Sequence, residues 1–180
     1  CGHEATPKAK VTMSQALIKE TQSGHLQGAW ASEQEGIQVF RGVPFARPPV
    51  GDLRWRPPVP VEPWEDIKSV ECFGPACYQA FSEDAFVWSR GQFERSEDCL
   101  YLNIWAKAET SAPLPVMVWF HGGAHTGGFA HVELFDGKAL ARKDVLLVTV
   151  NYRLGPWGFL AHPALSGESD KDSSGNRSEE

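Results

Sequence analysis

The stretch that most limits the fold is residues 115–128, Pro-Val-Met-Val-Trp-Phe-His-Gly-Gly-Ala-His-Thr-Gly-Gly. The apolar run Val116–Phe120 stops at His121, and glycine follows at 122, 123, 127 and 128. Such a run, without alternation, predicts a strand buried on both faces, as at the centre of an α/β sheet. Glycine directly after it lets the chain turn with φ > 0 and lets backbone N–H groups approach a ligand closely. Free N–H groups at the end of a buried strand can hold a developing negative charge. The stretch therefore reads as half of an anion-holding site.

Residues 145–150 form a second continuous apolar run and predict a second strand of this kind. Tyr101 to Ala106 alternates loosely and predicts another strand. Residues 131–143 have helix-like content, with Leu134, Leu140 and Ala141 as core positions. Upstream, turn signals at Ser23-Gly24 and Glu35-Gly36 punctuate residues 25–31 and 37–40, the pattern of a small antiparallel meander. The proline density between Gly42 and Pro58 forbids helix and interior strand. That segment reads as an ordered coil pinned by Phe45, Val50, Leu53 and Trp55. Residues 66–98 are loop-rich, with one aromatic segment at 81–88, and 157–160 is a short apolar piece. No internal repeat is present.

Two buried-type strands and one helix do not finish an α/β sheet, because such strands need neighbours on both edges and cover on both faces. The pattern predicts an α/β fold in the form of an incomplete sheet with an N-terminal antiparallel meander. It divides into a polar tether at 1–15, the domain portion at 16–165, and a polar tail at 166–180.

Apolar residues make up 42% of the 180 and charged residues 22%, a globular balance. With a net charge of −6 and no basic stripe, a nucleic-acid partner is not expected. No apolar run approaches the ~20 residues needed to cross a bilayer. The chain opens on Cys1, and two readings stand. Cys1 is the acylated first residue of a mature bacterial lipoprotein, a lipid anchor followed by a soft polar spacer, or it is an arbitrary fragment start. The cysteines at 1, 72, 77 and 99 have neither Cys-x-x-Cys spacing nor paired histidines, so no metal site and no cofactor is expected. Cys77 and Cys99 flank a polar and aromatic loop that a disulfide could close, which would place the protein in an oxidising, extracytoplasmic compartment.

Six blocks, in order, carry a family resemblance. They are Ser23-Gly-x-x-x-Gly28; Phe40-Arg-Gly-Val-Pro-Phe-Ala-x-Pro-Pro-Val-Gly-x-Leu-Arg-Trp55; Cys77-Tyr-Gln79; Ser96-Glu-Asp-Cys-Leu-Tyr-Leu-Asn-Ile-Trp105; Pro115 to Ala124; and Asn151-Tyr-Arg-Leu-Gly-x-x-Gly-Phe-Leu160. The chain resembles the N-terminal third of the type-B carboxylesterases, the family that includes the cholinesterases, from about residue 16 to Asn176. The resemblance implies an α/β-hydrolase fold, serine-dependent ester hydrolysis and a small-molecule ester substrate.

The resemblance also implies residue roles. The oxyanion donors fall on the backbone N–H groups of Gly123 and Ala124, with a third from the residue after the nucleophile. Gly122 serves the turn, and His121 shapes the loop rather than acting in catalysis. His125 either lines the acyl pocket or faces solvent. The family disulfide maps onto Cys77 and Cys99; Cys72 is a buried free thiol or a partner of Cys1. Arg54 and Glu97 match a buried structural ion pair, and Arg153 a structural arginine whose usual carboxylate partner lies beyond residue 180. Trp88 lies near a position where cholinesterases stack cations, or it packs.

The mechanism also needs Gly-x-Ser-x-Gly, then an acid and a histidine. The nearest match, Gly167-Glu-Ser169-Asp-Lys171, lacks the final glycine and a preceding strand. The sequence leaves the family pattern after Asn176. The expectation is a serine carboxylesterase present as a truncated chain that is inactive alone. The alternatives are a non-catalytic cholinesterase-like binding or adhesion protein, and a non-functional gene remnant.

Overall fold

Apolar side chains at alternate positions of three neighbouring strands meet in rows across a mixed sheet, and those rows are the core. The computed structural model describes residues 17–80, 93–169 and 174–176. The expectations for Cys1 and the 1–15 tether, for the aromatic segment 81–88 with Trp88, and for Lys171 lie outside the described residues.

The meander forms as expected. β1 (Leu17–Thr21), β2 (Gly24–Ser32) and β3 (Ile37–Pro44) pair antiparallel in sequence order. β4 (Lys68–Ser69) adds parallel to β2. β5 (Ala76–Cys77) and β6 (Arg95–Ser96) form a separate two-stranded ribbon. β7 (Tyr101–Lys107) pairs antiparallel with β3. β8 (Val116–Phe120) leads through α1 (Lys138–Ala141) to β9 (Leu146–Val150), which lies parallel to β8 and antiparallel to β7. α2 (Gly155–Phe159) and α3 (Pro163–Gly167) follow. The strand order is β1-β2-β3-β7-β9-β8. This mixed, mostly antiparallel sheet with few helices is an incomplete α/β architecture.

Register sets the two faces. Val39 pairs with Trp105 and Trp105 with Leu147, so these three share one face, closed by Ile37 and by Ala141 of α1. Phe40 pairs with Ile104 on the other face, where Leu26, Val43 and Val70 join them. A bulge between Phe40 and Val43 takes the Gly42 N–H out of the ladder. The Asn103 side chain accepts that N–H at 3.0 Å and donates to Thr149 Oγ1 at 3.0 Å, so a buried polar pair offsets the irregularity.

Several expectations change. Val116–Phe120 is a strand, but all five side chains are 41–63% exposed. It pairs with β9 along one edge only, and among the described residues no strand lies beyond it. The helix expected over 131–143 shrinks to a 3₁₀ turn at Glu133–Phe135 and the short α1. The Trp105 ring leaves no room for a side chain at Gly137, which interrupts the segment. Ala141 is buried and Leu140 packs beside it, but Leu134 points to solvent. The interior strand β3 runs on to Pro44 with Val43 buried, so the proline-rich coil starts only at Phe45; in it Phe45 and Val50 are exposed and Ala46 and Pro49 are buried. Trp55 pins the coil by donating Nε1–H to the Pro156 carbonyl at 2.8 Å.

Candidate functional site

β8 ends at Phe120, and the next eight residues form a turn held at both ends. His121 is buried, stacked 4.4 Å from Tyr152, and its carbonyl accepts the Tyr152 hydroxyl at 2.5 Å. Its Nδ1–H donates to the Gly122 carbonyl at 3.0 Å, and burial lowers its pKa. With its Nδ1–H and its backbone carbonyl both engaged inside the protein, His121 ties the start of the loop to Tyr152. His125 is exposed and stacks on Phe159 at 4.3 Å, and its carbonyl accepts the Gly155 N–H at 2.6 Å.

The reversal itself is made at Gly123, Ala124 and His125, with φ of 136°, 52° and 62°. Gly123 has to be glycine, because a Cβ there would sit 1.8 Å from the Gly127 oxygen. The turn-forming role expected at Gly122 therefore moves one residue on. Gly122 has no positive φ, and a Cβ there would meet nothing within 4 Å.

The Gly123 carbonyl accepts three hydrogen bonds, from the N–H groups of Thr126 (3.0 Å) and Gly127 (3.1 Å) and from Thr126 Oγ1 (3.1 Å). In a trans peptide the C=O and N–H point to opposite sides. Fixing the Gly123 oxygen toward 126–127 thus aims the Ala124 N–H the other way. The N–H groups of Gly122, Gly123, Ala124 and His125 have no partner among the described residues, and all four residues are exposed. Consecutive free N–H groups on a backbone with left-handed φ values form a concavity suited to an anion.

Two side chains without an assigned role from sequence hold the far end of this turn. Gln79 is buried; its Oε1 accepts the Gly128 N–H at 2.7 Å and its Nε2–H donates to the Gly128 carbonyl at 2.8 Å. Asn151 accepts the Ala130 N–H at 2.7 Å and donates to the Pro75 carbonyl at 3.1 Å. Both lie in the blocks Cys77-Tyr-Gln79 and Asn151-Tyr-Arg, so the signal was present as an amide inside an otherwise apolar or aromatic motif. Beside the turn lies a pocket of about 380 Å³ whose walls include Tyr78, Thr126, Pro156 and Trp157, with no charged side chain among its described lining.

The Cys77–Cys99 disulfide expectation is corrected. Both residues are buried free thiols in hydrogen-bond contact. Cys77 Sγ also accepts the Leu154 N–H at 3.1 Å. The contact with Cys99, then the N–H groups of Leu154 and Tyr78, hold the Cys77 thiol below its usual pKa. The same contact, with burial, pushes Cys99 up, because a second thiolate beside the first is unfavourable. The inference of an oxidising compartment rested on that bond and loses its support. Cys72 is a free thiol but exposed, not buried.

Arg54 and Glu97 do pair, in a bidentate fork of 2.5 and 2.7 Å. The pair is not buried as expected: the Arg54 side chain is 38% exposed, so water screens it. Arg153 is buried, and its Nη1 donates to the Arg56 carbonyl at 2.9 Å.

The sequence matches the model of the carboxylesterase family over residues 15–177. The chain belongs to the carboxylesterase family of α/β-hydrolases. It is 47% identical over 176 residues to fumonisin B1 esterase of Sphingopyxis macrogoltabida, covering 97% of this chain and 31% of that protein. With para-nitrobenzyl esterase of Bacillus subtilis (strain 168) it shares 43% identity over 145 residues, 79% of this chain and 29% of the relative. A solved PNB esterase structure superimposes with a TM-score of 0.78 at 40% identity, covering 89% of this chain and 32% of that one. The chain thus spans about a third of the length of the relatives it matches.

Proposed function

We propose that this chain supplies the oxyanion-binding turn of a serine carboxylesterase acting on small carboxylic esters. The observation that carries the reading is the exposed, unpartnered N–H pair of Gly123 and Ala124, on a turn whose carbonyl is fixed inward. A serine hydroxyl adding to an ester carbonyl loses its proton to a base and leaves the negative charge on the carbonyl oxygen. The two N–H groups stabilise that charge, and collapse of the intermediate expels the alkoxide, which takes the proton back from the base and leaves as the alcohol. Water then hydrolyses the acyl-enzyme by the same route in reverse. The uncharged pocket beside Thr126 suits the apolar part of such a substrate.

No Gly-x-Ser-x-Gly occurs in these 180 residues, so the nucleophile has to come from elsewhere. The chain alone is expected to give no hydrolysis of p-nitrophenyl acetate above a heat-treated control. Replacing the matching N-terminal segment of Bacillus subtilis para-nitrobenzyl esterase with this chain is expected to give a chimera that turns over the same ester. A folded but inert chimera would overturn the esterase reading. Serine-inhibitor-sensitive turnover by the 180 residues alone would overturn the need for an external nucleophile.

A further inference from the structure

The Gln79 side chain sits 49 residues upstream of Gly128 and engages both polar groups of that residue. This is the bond pattern of a strand pair, made with a side-chain amide. Both side-chain polar atoms and the backbone carbonyl of Gln79 are engaged. Nε2 also contacts the Cys77 carbonyl at 3.1 Å, and the Gln79 backbone carbonyl accepts Arg95 Nη1 at 2.5 Å. The amide therefore has one orientation, fixed from the β5–β6 ribbon.

What it grips is the anchor of the anion-facing peptide. Gly128 has φ of 109° and no room for a side chain, because a Cβ would meet His121 Nδ1 at 2.4 Å and the Gly122 oxygen at 2.5 Å. Its neighbour Gly127 donates the N–H that holds the Gly123 carbonyl inward. That carbonyl and the Ala124 N–H belong to one trans peptide, so the direction of one sets the other.

We infer that Gln79 is a positioning residue for ester hydrolysis, one that aims the Ala124 N–H by clamping Gly128. This rests on the esterase reading above for its kinetic consequence, though not for its structural one. Gln79 touches no reacting atom. Its effect passes through Gly128, Gly127 and the Gly123 carbonyl in turn. Because the amide donates and accepts at once, its isosteric acid can replace it only when protonated. An ionised glutamate would set its second oxygen against the carbonyls of Gly128 and Cys77, while a protonated one could donate to Gly128 and still accept its N–H.

Two measurements test this. In the first, amide hydrogen exchange is followed in the 180-residue chain. Gln79→Leu should speed exchange at the hydrogen-bonded amides of Thr126, Gly127 and Gly128 at least tenfold while leaving 101–107 unchanged. In Gln79→Glu the excess over wild type should shrink as pH falls through the carboxyl pKa, a comparison within one protein that survives if the leucine variant folds poorly. Exchange at 126–128 that matches wild type in both variants would overturn the clamp. In the second, the esterase chimera carries the same changes. Gln79→Leu should lower kcat about 10- to 100-fold with KM within about threefold, the loss expected when a donor is misaimed rather than removed. The Gln79→Glu to parent ratio of kcat should rise toward acid. A folded Gln79→Leu chimera with parental kcat would overturn the positioning role. If the parent chimera is itself inert, the esterase reading fails and the clamp stands or falls on the exchange result alone.

Discussion

β7 and β8 flank the same strand, β9, and their sequences are similarly apolar, yet they end in opposite environments. Along β7, Trp105 and Asn103 are almost fully buried; along β8 every side chain is 41–63% exposed. The difference lies in neighbours. β7 has a strand on each side and cores on both faces, with Ala141 of α1 closing one of them. β8 has β9 on one edge, and Trp119 meets only the Phe135 ring at 5.4 Å among the aromatic contacts described. Burial is thus a property of position in the sheet. The apolar run marks a strand suited to a covered position, and its exposure marks a surface needing cover.

The sharpest way to break this contrast is to truncate both strands. Trp105→Ala should cost about 3–5 kcal/mol in urea unfolding, whereas Val118→Ala should cost under ~1 kcal/mol. Equal losses would mean that β8 is covered in solution. Next comes the turn where β8 ends. Gly123→Ala should destabilise by at least roughly 1–3 kcal/mol, through the positive φ and the clash of the added Cβ with the Gly127 oxygen, and Gly122→Ala by no more than ~0.5 kcal/mol. Parity between the two glycines would contradict the positions of the left-handed residues.

The covered side should also respond to acid. His131 packs against Phe73 at 5.2 Å and Phe129 at 4.5 Å, and its Nδ1 is buried without a partner among the described residues. Burial, with a smaller contribution from His121, lowers its pKa from 6.5 to about 4. Between those values the unfolded chain binds a proton that the folded chain does not. Stability is therefore fully present above about pH 6.5 and is lost as pH falls toward 4, by up to about 1.4 kcal/mol per pH unit. His131→Phe should flatten the urea midpoint over that window; an unchanged slope would assign it to other groups. The smallest effect on stability is expected from Val118→Lys, within ~0.5 kcal/mol. It should nonetheless lower light scattering by self-associated chain, since a charge on an exposed edge opposes strand addition.

The strands were legible as apolar runs, and the meander as runs between turn pairs, because both patterns are local. The exposure of Val116–Phe120 was not, since it depends on what lies beyond the strand. The long helix over 131–143 was overestimated because composition does not register the Trp105 ring against Gly137. In the site, a glycine-rich break after a strand was readable, and the structure makes its reversal at Gly123, Ala124 and His125. Gly122 and Gly123 look alike in sequence; φ and the space for a Cβ separate them. Gln79 and Asn151 act on backbone 49 and 21 residues away, respectively, which no window of sequence displays.

Asn151 and Gln79 also bear on protein engineering. The turn at 121–128 looks like an insertable cassette, a short glycine-rich piece between a strand and a loop. Its far end, however, is fastened at Gly128 and Ala130 by amides from two other parts of the chain, and one of those amides reaches on to Pro75. Grafting the turn into another scaffold without residues 75–79 and 151 would transfer the letters and leave the geometry behind. Libraries aimed at this turn should therefore vary positions 79 and 151 together with it.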